Sequence, residues 1–310
     1  YSIENKKIVF KYNFYKKKFK KINKVLNIIA DDGILYVTDN IGYTYSLSLK
    51  NQKLLWAKNY KVPFRSNLKL TSKTLVAADQ NNALYIINKF NGERVKFIPT
   101  EEMTLKNDFI NTLTSDDKSV IFLNTYGSIY SIDPDKYFIN WFLNLNRSID
   151  LNSSNLFYSN PISIYQDKVI VATDPYLYVM NLNTGSTMFK IAIASIVRPI
   201  VSGQNLFLIT KENLLVSINI NTGKIIYSIK INQKIAEFLD TKSKLISIKD
   251  MAILNNNLFI FLHNSYLVKF NKIGAIQEIN KLPSKIGSMP IFINDSILYL
   301  NKNNKLIILN

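Results

Sequence analysis

The chain contains Leu177-Tyr178-Val179-Met180-Asn181-Leu182-Asn183-Thr184-Gly185, followed by Phe189. Starting 38 residues later it contains Leu215-Val216-Ser217-Ile218-Asn219-Ile220-Asn221-Thr222-Gly223, followed by Tyr227. Each reads as a short alternating strand, an Asn, a Thr-Gly turn and a second strand bearing an aromatic. An Asn at a turn entry can accept hydrogen bonds from the amides that follow it, and glycine suits a turn with positive φ. With the second residue of the first strand as anchor, the pattern recurs with decay at Tyr45, Tyr85, Tyr130, Tyr178, Val216, Val268 and Ile307. Three residues past the anchors stand Ser48, Asn88, Asp133, Asn181, Asn219, Asn271 and Asn310. Eleven residues past four of them stand Trp56, Trp141, Phe189 and Tyr227. That fixed place in the repeat predicts packing between units rather than a recognition strip.

An apolar strand precedes each anchor, as at Val169-Ile170-Val171-Ala172 and Leu206-Phe207-Leu208-Ile209. A further strand, often marked by a proline such as Pro161, Pro199 or Pro290, precedes some of these. Four short strands in about 40 residues make one propeller blade, and blades bury their faces only by packing on neighbours. The expected fold is therefore all-β: a single closed β-propeller of four-stranded blades over residues 1–310. Seven units are countable. The long intervals leave room for an eighth, or for inserted loops such as 146–157 and 232–247. The last unit stops after its third strand. Asn5-Lys6-Lys7-Ile8-Val9-Phe10 resembles Gly223-Lys224-Ile225-Ile226-Tyr227. Residues 1–23 are accordingly expected to supply a strand that completes the last blade, plus a basic connector.

The absence of cysteine excludes disulfides, thiolate nucleophiles and zinc–thiolate sites. One histidine, His263, cannot build a multi-histidine metal centre. No phosphate-binding glycine loop, dinucleotide fingerprint or nucleophile-elbow motif occurs. Asp31-Asp32 and Asp116-Asp117 fall where the repeat puts turns, and read as solvated turns rather than metal ligands. The formal net charge is +17, with lysines spread along the chain. Only Lys16, Lys17, Lys18, Lys20, Lys21 and Lys24 form a dense cluster. Lys16, Lys17, Lys18, Lys20 and Lys21 are candidates for contact with an anionic membrane surface, and equally for a solvated connector. No cofactor and no nucleic-acid partner is expected.

The recurring Leu-x-x-Leu-Asn-x-x-Thr-Gly-x-x-x-aromatic pattern resembles the repeat of pyrroloquinoline-quinone-like propellers. Size and repeat order are most similar to the BamB-like outer-membrane protein assembly factors. The resemblance implies a non-catalytic scaffold at the periplasmic face of the outer membrane, the alternatives being a propeller adaptor of another envelope complex and a quinoprotein-type cofactor-binding enzyme. It also implies a lipid anchor, which here would lie upstream of residue 1. The implied partner is a BamA-like outer-membrane insertase, bound through its periplasmic domains, with the propeller as a monomer in a larger complex. The family's partner loops correspond to Asn152–Pro161 and Ala194–Pro199. Pro161 and Pro199 match the family pattern. The first loop lacks the family's arginine, and the second, Ala194-Ser195-Ile196-Val197-Arg198-Pro199, lacks its aspartates.

Candidate partner-binding residues are Leu151, Leu156, Phe157, Tyr158, Asn160 and Arg198, because apolar and aromatic groups on inserted loops suit an interface. Phe157 and Tyr158 also stand where the first strand of the next unit would begin, where they would simply pack.

Overall fold

The repeat unit folds as an antiparallel meander. The computed structural model describes residues 2, 5, 7–13, 15, 19, 21–102, 111–116, 118–146, 156–293 and 296–309. These divide into two compact units, Tyr1–Tyr158 with Leu182–Gly185, and Ser159–Asn181 with Ser186–Asn310.

The first unit holds three four-stranded sheets. They are β1 (Leu26–Asp31), β2 (Ile34–Asp39), β3 (Tyr43–Ser48) and β4 (Lys53–Asn59); β5 (Lys69–Leu70), β6 (Thr74–Ala78), β7 (Leu84–Asn88) and β8 (Arg94–Ile98); β9 (Thr112–Ser115), β10 (Val120–Leu123), β11 (Ser128–Ile132) and β12 (Ile139–Asn144). The second unit holds β13 (Ser163–Tyr165), β14 (Lys168–Ala172), β15 (Leu177–Asn181) and β16 (Thr187–Ile191), then β17 (Ile200–Ser202), β18 (Asn205–Ile209), β19 (Leu214–Asn219) and β20 (Ile225–Lys230). After helix α1 (Ile231–Phe238) come β21 (Ile248–Leu254), β22 (Asn257–Leu262), β23 (Tyr266–Phe270) and β24 (Ile276–Lys281). The last sheet is β25 (Ile291–Ile293), β26 (Ser296–Leu300) and β27 (Leu306–Leu309).

Seven such sheets among the described residues are seven propeller blades, and the fold is a β-propeller. Every anchor sits in the third strand of its sheet, as the repeat requires. Strands β6, β10, β11 and β14 are buried at every position, which explains their apolar runs: both faces are covered. Five core clusters each join two consecutive sheets of one unit. Phe207 and Leu215 meet Met251, Ile260 and Val268 in one case; Val76 and Leu84 meet Val120 and Phe122 in another. Fully burying one such side chain stabilises by about 1.5–3 kcal/mol.

The aromatics eleven past the anchors do pack between sheets. Trp56 lies on Gly92 of the following sheet and donates from Nε1 to the Lys89 carbonyl at 3.0 Å. Trp141 lies on Gly185 and donates to the Leu182 carbonyl at 2.8 Å. Phe189 lies on Gly223, and the Tyr227 hydroxyl donates to the Lys272 carbonyl at 2.8 Å. Opposite three of these aromatics the third strand carries a small residue: Ser46 faces Trp56, Ser131 faces Trp141 and Ser217 faces Tyr227. All six third-to-fourth-strand pairings shift register at this point, so a β-bulge is part of the repeat.

The turn-entry residues act as the sequence predicts. Asn88 Oδ1 accepts from the Phe90 amide, Asp133 Oδ1 from Asp135 and Lys136, and Asn219 Oδ1 from Asn221 and Thr222. A second set closes the turns between second and third strands, where Asp39, Asp79, Asn124 and Asn301 each accept two amides.

The closing strand expected within residues 1–23 lies partly outside the described residues. The last sheet has three strands among the described residues, and Ile8–Phe10 belong to no strand. Ser2 bridges to Lys7, and Phe10 packs on Val37, Tyr45 and Leu47 of the first sheet. The interval 232–247, read as a loop insertion, carries α1 and then irregular chain. No helix among the described residues is long and apolar enough to cross a membrane.

Candidate partner-binding surface

In the second unit, the segments leading into β13 and β17 are tied together by side chains. Ser159 bridges to Thr173, and the Asn160 amide donates to the Ala172 carbonyl at 2.8 Å. This holds the Asn160 side chain so that Nδ2 donates to the Ser195 carbonyl at 2.7 Å. Ser195 Oγ donates back to the Val197 carbonyl at 2.6 Å, and the Ile196 amide donates to the Ile209 carbonyl at 2.8 Å. Val197 and Pro199 are buried while Arg198 between them is exposed. The structure thus brings Asn160 and the Ser195–Arg198 loop into one assembly, joined by a hydrogen bond that spacing alone could not reveal.

Behind Arg198 lies a groove of about 340 Å³. Its walls come from the first strands β13, β17 and β21, through Ile164, Ile200, Val201 and Ile253, with Met289 at one side. Asp250 stands in β21 beside a register shift and accepts the Met251 amide at 2.8 Å. Burial pushes its carboxyl above the ordinary value, and the charges of Lys249 and Arg198 oppose that rise.

In the first unit, the Phe157 amide donates to the Thr125 carbonyl at 2.9 Å, and its ring closes over Gly127. Phe157 and Leu156 are half-buried, whereas Tyr158 is 62% exposed. Leu151, like the rest of 147–155, lies outside the described residues, as do Lys16, Lys17, Lys18 and Lys20; Lys21 is exposed.

Two polar features of this unit escaped the sequence reading. Glu101 accepts from Ser128 Oγ at 2.5 Å, Tyr130 OH at 2.6 Å and Asn124 Nδ2 at 2.7 Å. Burial raises the Glu101 carboxyl, but these donors outweigh it and hold it below the ordinary value. The same contact and burial push the Tyr130 hydroxyl upward. Nearby, a pocket of about 290 Å³ is walled by Tyr85, Phe97 and Pro99 and edged by Asp79 and Glu102. Asp79 is spent on the amides of Asn81 and Ala83, and burial raises its carboxyl.

Of the carboxylates expected in turns, Asp32 lies in the β1–β2 turn, Asp31 ends β1, and Asp117 lies outside the described residues. Asp116 accepts the Lys118 and Ser119 amides, and Asp31 is an exposed ion-pair partner of Lys89 at 2.9 Å. His263 is exposed directly after β22. Among the described residues no three or more histidines and carboxylates cluster as a metal site would require.

The solved structures similar to this chain share its fold at low identity. BamB from Moraxella catarrhalis matches with a TM-score of 0.72 at 11% identity, over 90% of this chain and 82% of that one. The computationally designed Ika8 protein matches with a TM-score of 0.69 at 11% identity, over 91% and 82%. Saccharomyces cerevisiae Sqt1 matches with a TM-score of 0.69 at 13% identity, over 92% and 81%. A bacterial, a designed and a yeast protein so close in score speak for the fold alone. No curated protein matches the sequence. The family model described as "Outer membrane protein assembly factor BamB" matches residues 18–309, nearly the whole repeat array, and the chain therefore belongs to that family.

Proposed function

We propose that this chain is a non-catalytic protein-binding scaffold in the assembly of β-barrel proteins into the outer membrane. It stands at the periplasmic face of that membrane, held there by a lipid anchor. Its partner is the periplasmic part of a BamA-like insertase. The observation that carries the reading is the family match over 18–309, joined to the Asn160–Ser195 tie between the two loops that correspond to the family's partner loops. A loop held by a part-buried hydrogen bond presents its exposed residues, here Arg198, with little ordering cost on binding. Lys21 and its neighbours at 16–20 add attraction to anionic headgroups, expected to contribute about 1 kcal/mol per lysine near such a surface.

The test is a pull-down of the tagged chain from solubilised envelopes of its own source, followed by mass spectrometry. The expected result is a large β-barrel protein with periplasmic repeat domains. Recovery of a different envelope complex, or of nothing, overturns the barrel-assembly role.

A further inference from the structure

The groove behind Arg198 is unused by anything described above. Its walls are apolar side chains of three consecutive first strands, Ile164, Ile200, Val201 and Ile253, and Met289 is half-exposed beside them. Arg198 stands at the lip with no ion pair or hydrogen bond among the described residues. The acidic residue that feels its charge, Asp250, already accepts a backbone amide. An uncommitted guanidinium beside apolar surface matches a carboxylate next to an apolar group, since the planar fork binds carboxylate oxygens in pairs.

We propose that the groove takes one apolar side chain of a partner polypeptide while Arg198 binds a neighbouring acidic residue, so that the segment recognised is short, acidic and apolar. The proposal rests on the scaffold reading, and it adds what the scaffold selects. Two observations favour a polypeptide over a free amphiphile. The volume, about 340 Å³, is at the low end for ligand pockets and suits one or two side chains. The lip residue belongs to the loop tied to Asn160, so groove and partner loop form one continuous surface.

The experiment is methyl NMR of the full chain titrated with three probes: a capped Glu-Leu-Glu peptide, a capped Lys-Leu-Lys peptide and dodecanoate. The acidic peptide is expected to shift the methyls of Ile200, Ile253 and Met289, and the basic peptide to leave them in place. Arg198→Glu is expected to weaken the acidic peptide by about tenfold or more, Arg198→Lys by less. Met289→Trp, at a half-exposed position that tolerates the larger ring, narrows the groove and weakens binding without touching the charge. An equal response to both peptides, no response to either, or unchanged affinity in Arg198→Glu overturns the proposal. Saturation of the same methyls by dodecanoate alone overturns it in favour of a lipid amphiphile. No insertase is present in the titration, so a failed pull-down and a failed titration are separate results.

Discussion

Two glycines of one sheet separate the backbone demand of a turn from the packing demand of the next aromatic. Gly203, in the β17–β18 turn, has φ +62° and nothing within 4 Å of where a Cβ would stand. Gly223, in the β19–β20 turn, has φ +71°, and a Cβ there would lie 2.9 Å from Phe189 Cγ and 3.0 Å from its Cδ2. Alanine costs both sites the left-handed backbone, about 1–2 kcal/mol. At Gly223 it also forces the ring away, at about 1–3 kcal/mol. Gly203→Ala should therefore destabilise by about 1–2 kcal/mol and Gly223→Ala by about 2–5 kcal/mol. The assay is equilibrium urea unfolding followed by circular dichroism, compared by midpoint so that both variants share one slope. Phe189→Leu in each background completes the test, because shortening the ring should remove the excess at Gly223 and leave Gly203→Ala unchanged. Equal costs at the two glycines, or an excess that survives Phe189→Leu, would refute the claim that the turn glycine exists to seat the preceding sheet's aromatic.

Four further outcomes are expected. Trp141→Phe keeps the stack on Gly185 but loses the bond to the Leu182 carbonyl, costing about 0.5–1.5 kcal/mol, whereas Trp141→Ala costs about 3–5 kcal/mol; urea midpoints decide. Ser217→Ala should be neutral or stabilising by up to about 1 kcal/mol, because the buried Ser217 Oγ has no partner, and a clear loss in thermal midpoint would contradict that. Glu101 has a depressed folded pKa, so its stabilisation is fully present above the ordinary glutamate range and disappears as pH falls through the folded value. Thermal melts from neutral to acid pH should accordingly show Glu101→Gln less stable at neutrality and converging with the parent chain in acid. Asn160→Ala releases the Ser195 carbonyl and should lower recovery of the envelope partner while moving the melting midpoint by only the equivalent of about 1 kcal/mol.

The architecture was legible because a propeller writes its fold into the sequence seven times. Each turn needs a short polar side chain to accept amides, as Asn219, Asp133 and Ser48 do, and each docked aromatic needs room on the next turn, as Trp56 finds on Gly92. These demands act over four to eleven residues, so they survive as spacing. The bulge in every third-to-fourth-strand pairing was not legible, because it is a property of two strands, and only the small residue facing the aromatic hints at it. The packing of the N-terminal segment was not legible for a related reason. Lys7-Ile8-Val9-Phe10 has the pattern of a fourth strand, but pattern does not fix a partner, and Phe10 finds its apolar contact on the first sheet.

The candidate surface was legible only in part, and the repeat itself is the cause. Positions set by the repeat are set by packing, so a functional residue must lie where the repeat says least, in segments whose length and composition vary. That reasoning picks out the loops around Asn160 and Arg198, and it cannot say that Asn160 Nδ2 reaches the Ser195 carbonyl across 35 residues. It also cannot separate Phe157, whose ring is committed to Gly127, from Tyr158, which stays exposed one residue later. The groove was invisible for a further reason. Ile164, Ile200 and Ile253 each read as ordinary core residues of their own strands, and only the juxtaposition of three first strands turns them into one wall. A scaffold on this fold can therefore change what it binds by substituting first-strand side chains and the Arg198 loop while every turn and docked aromatic stays in place. That lets the repeat persist at 11% identity to a family structure while the first-strand side chains and connecting loops diverge.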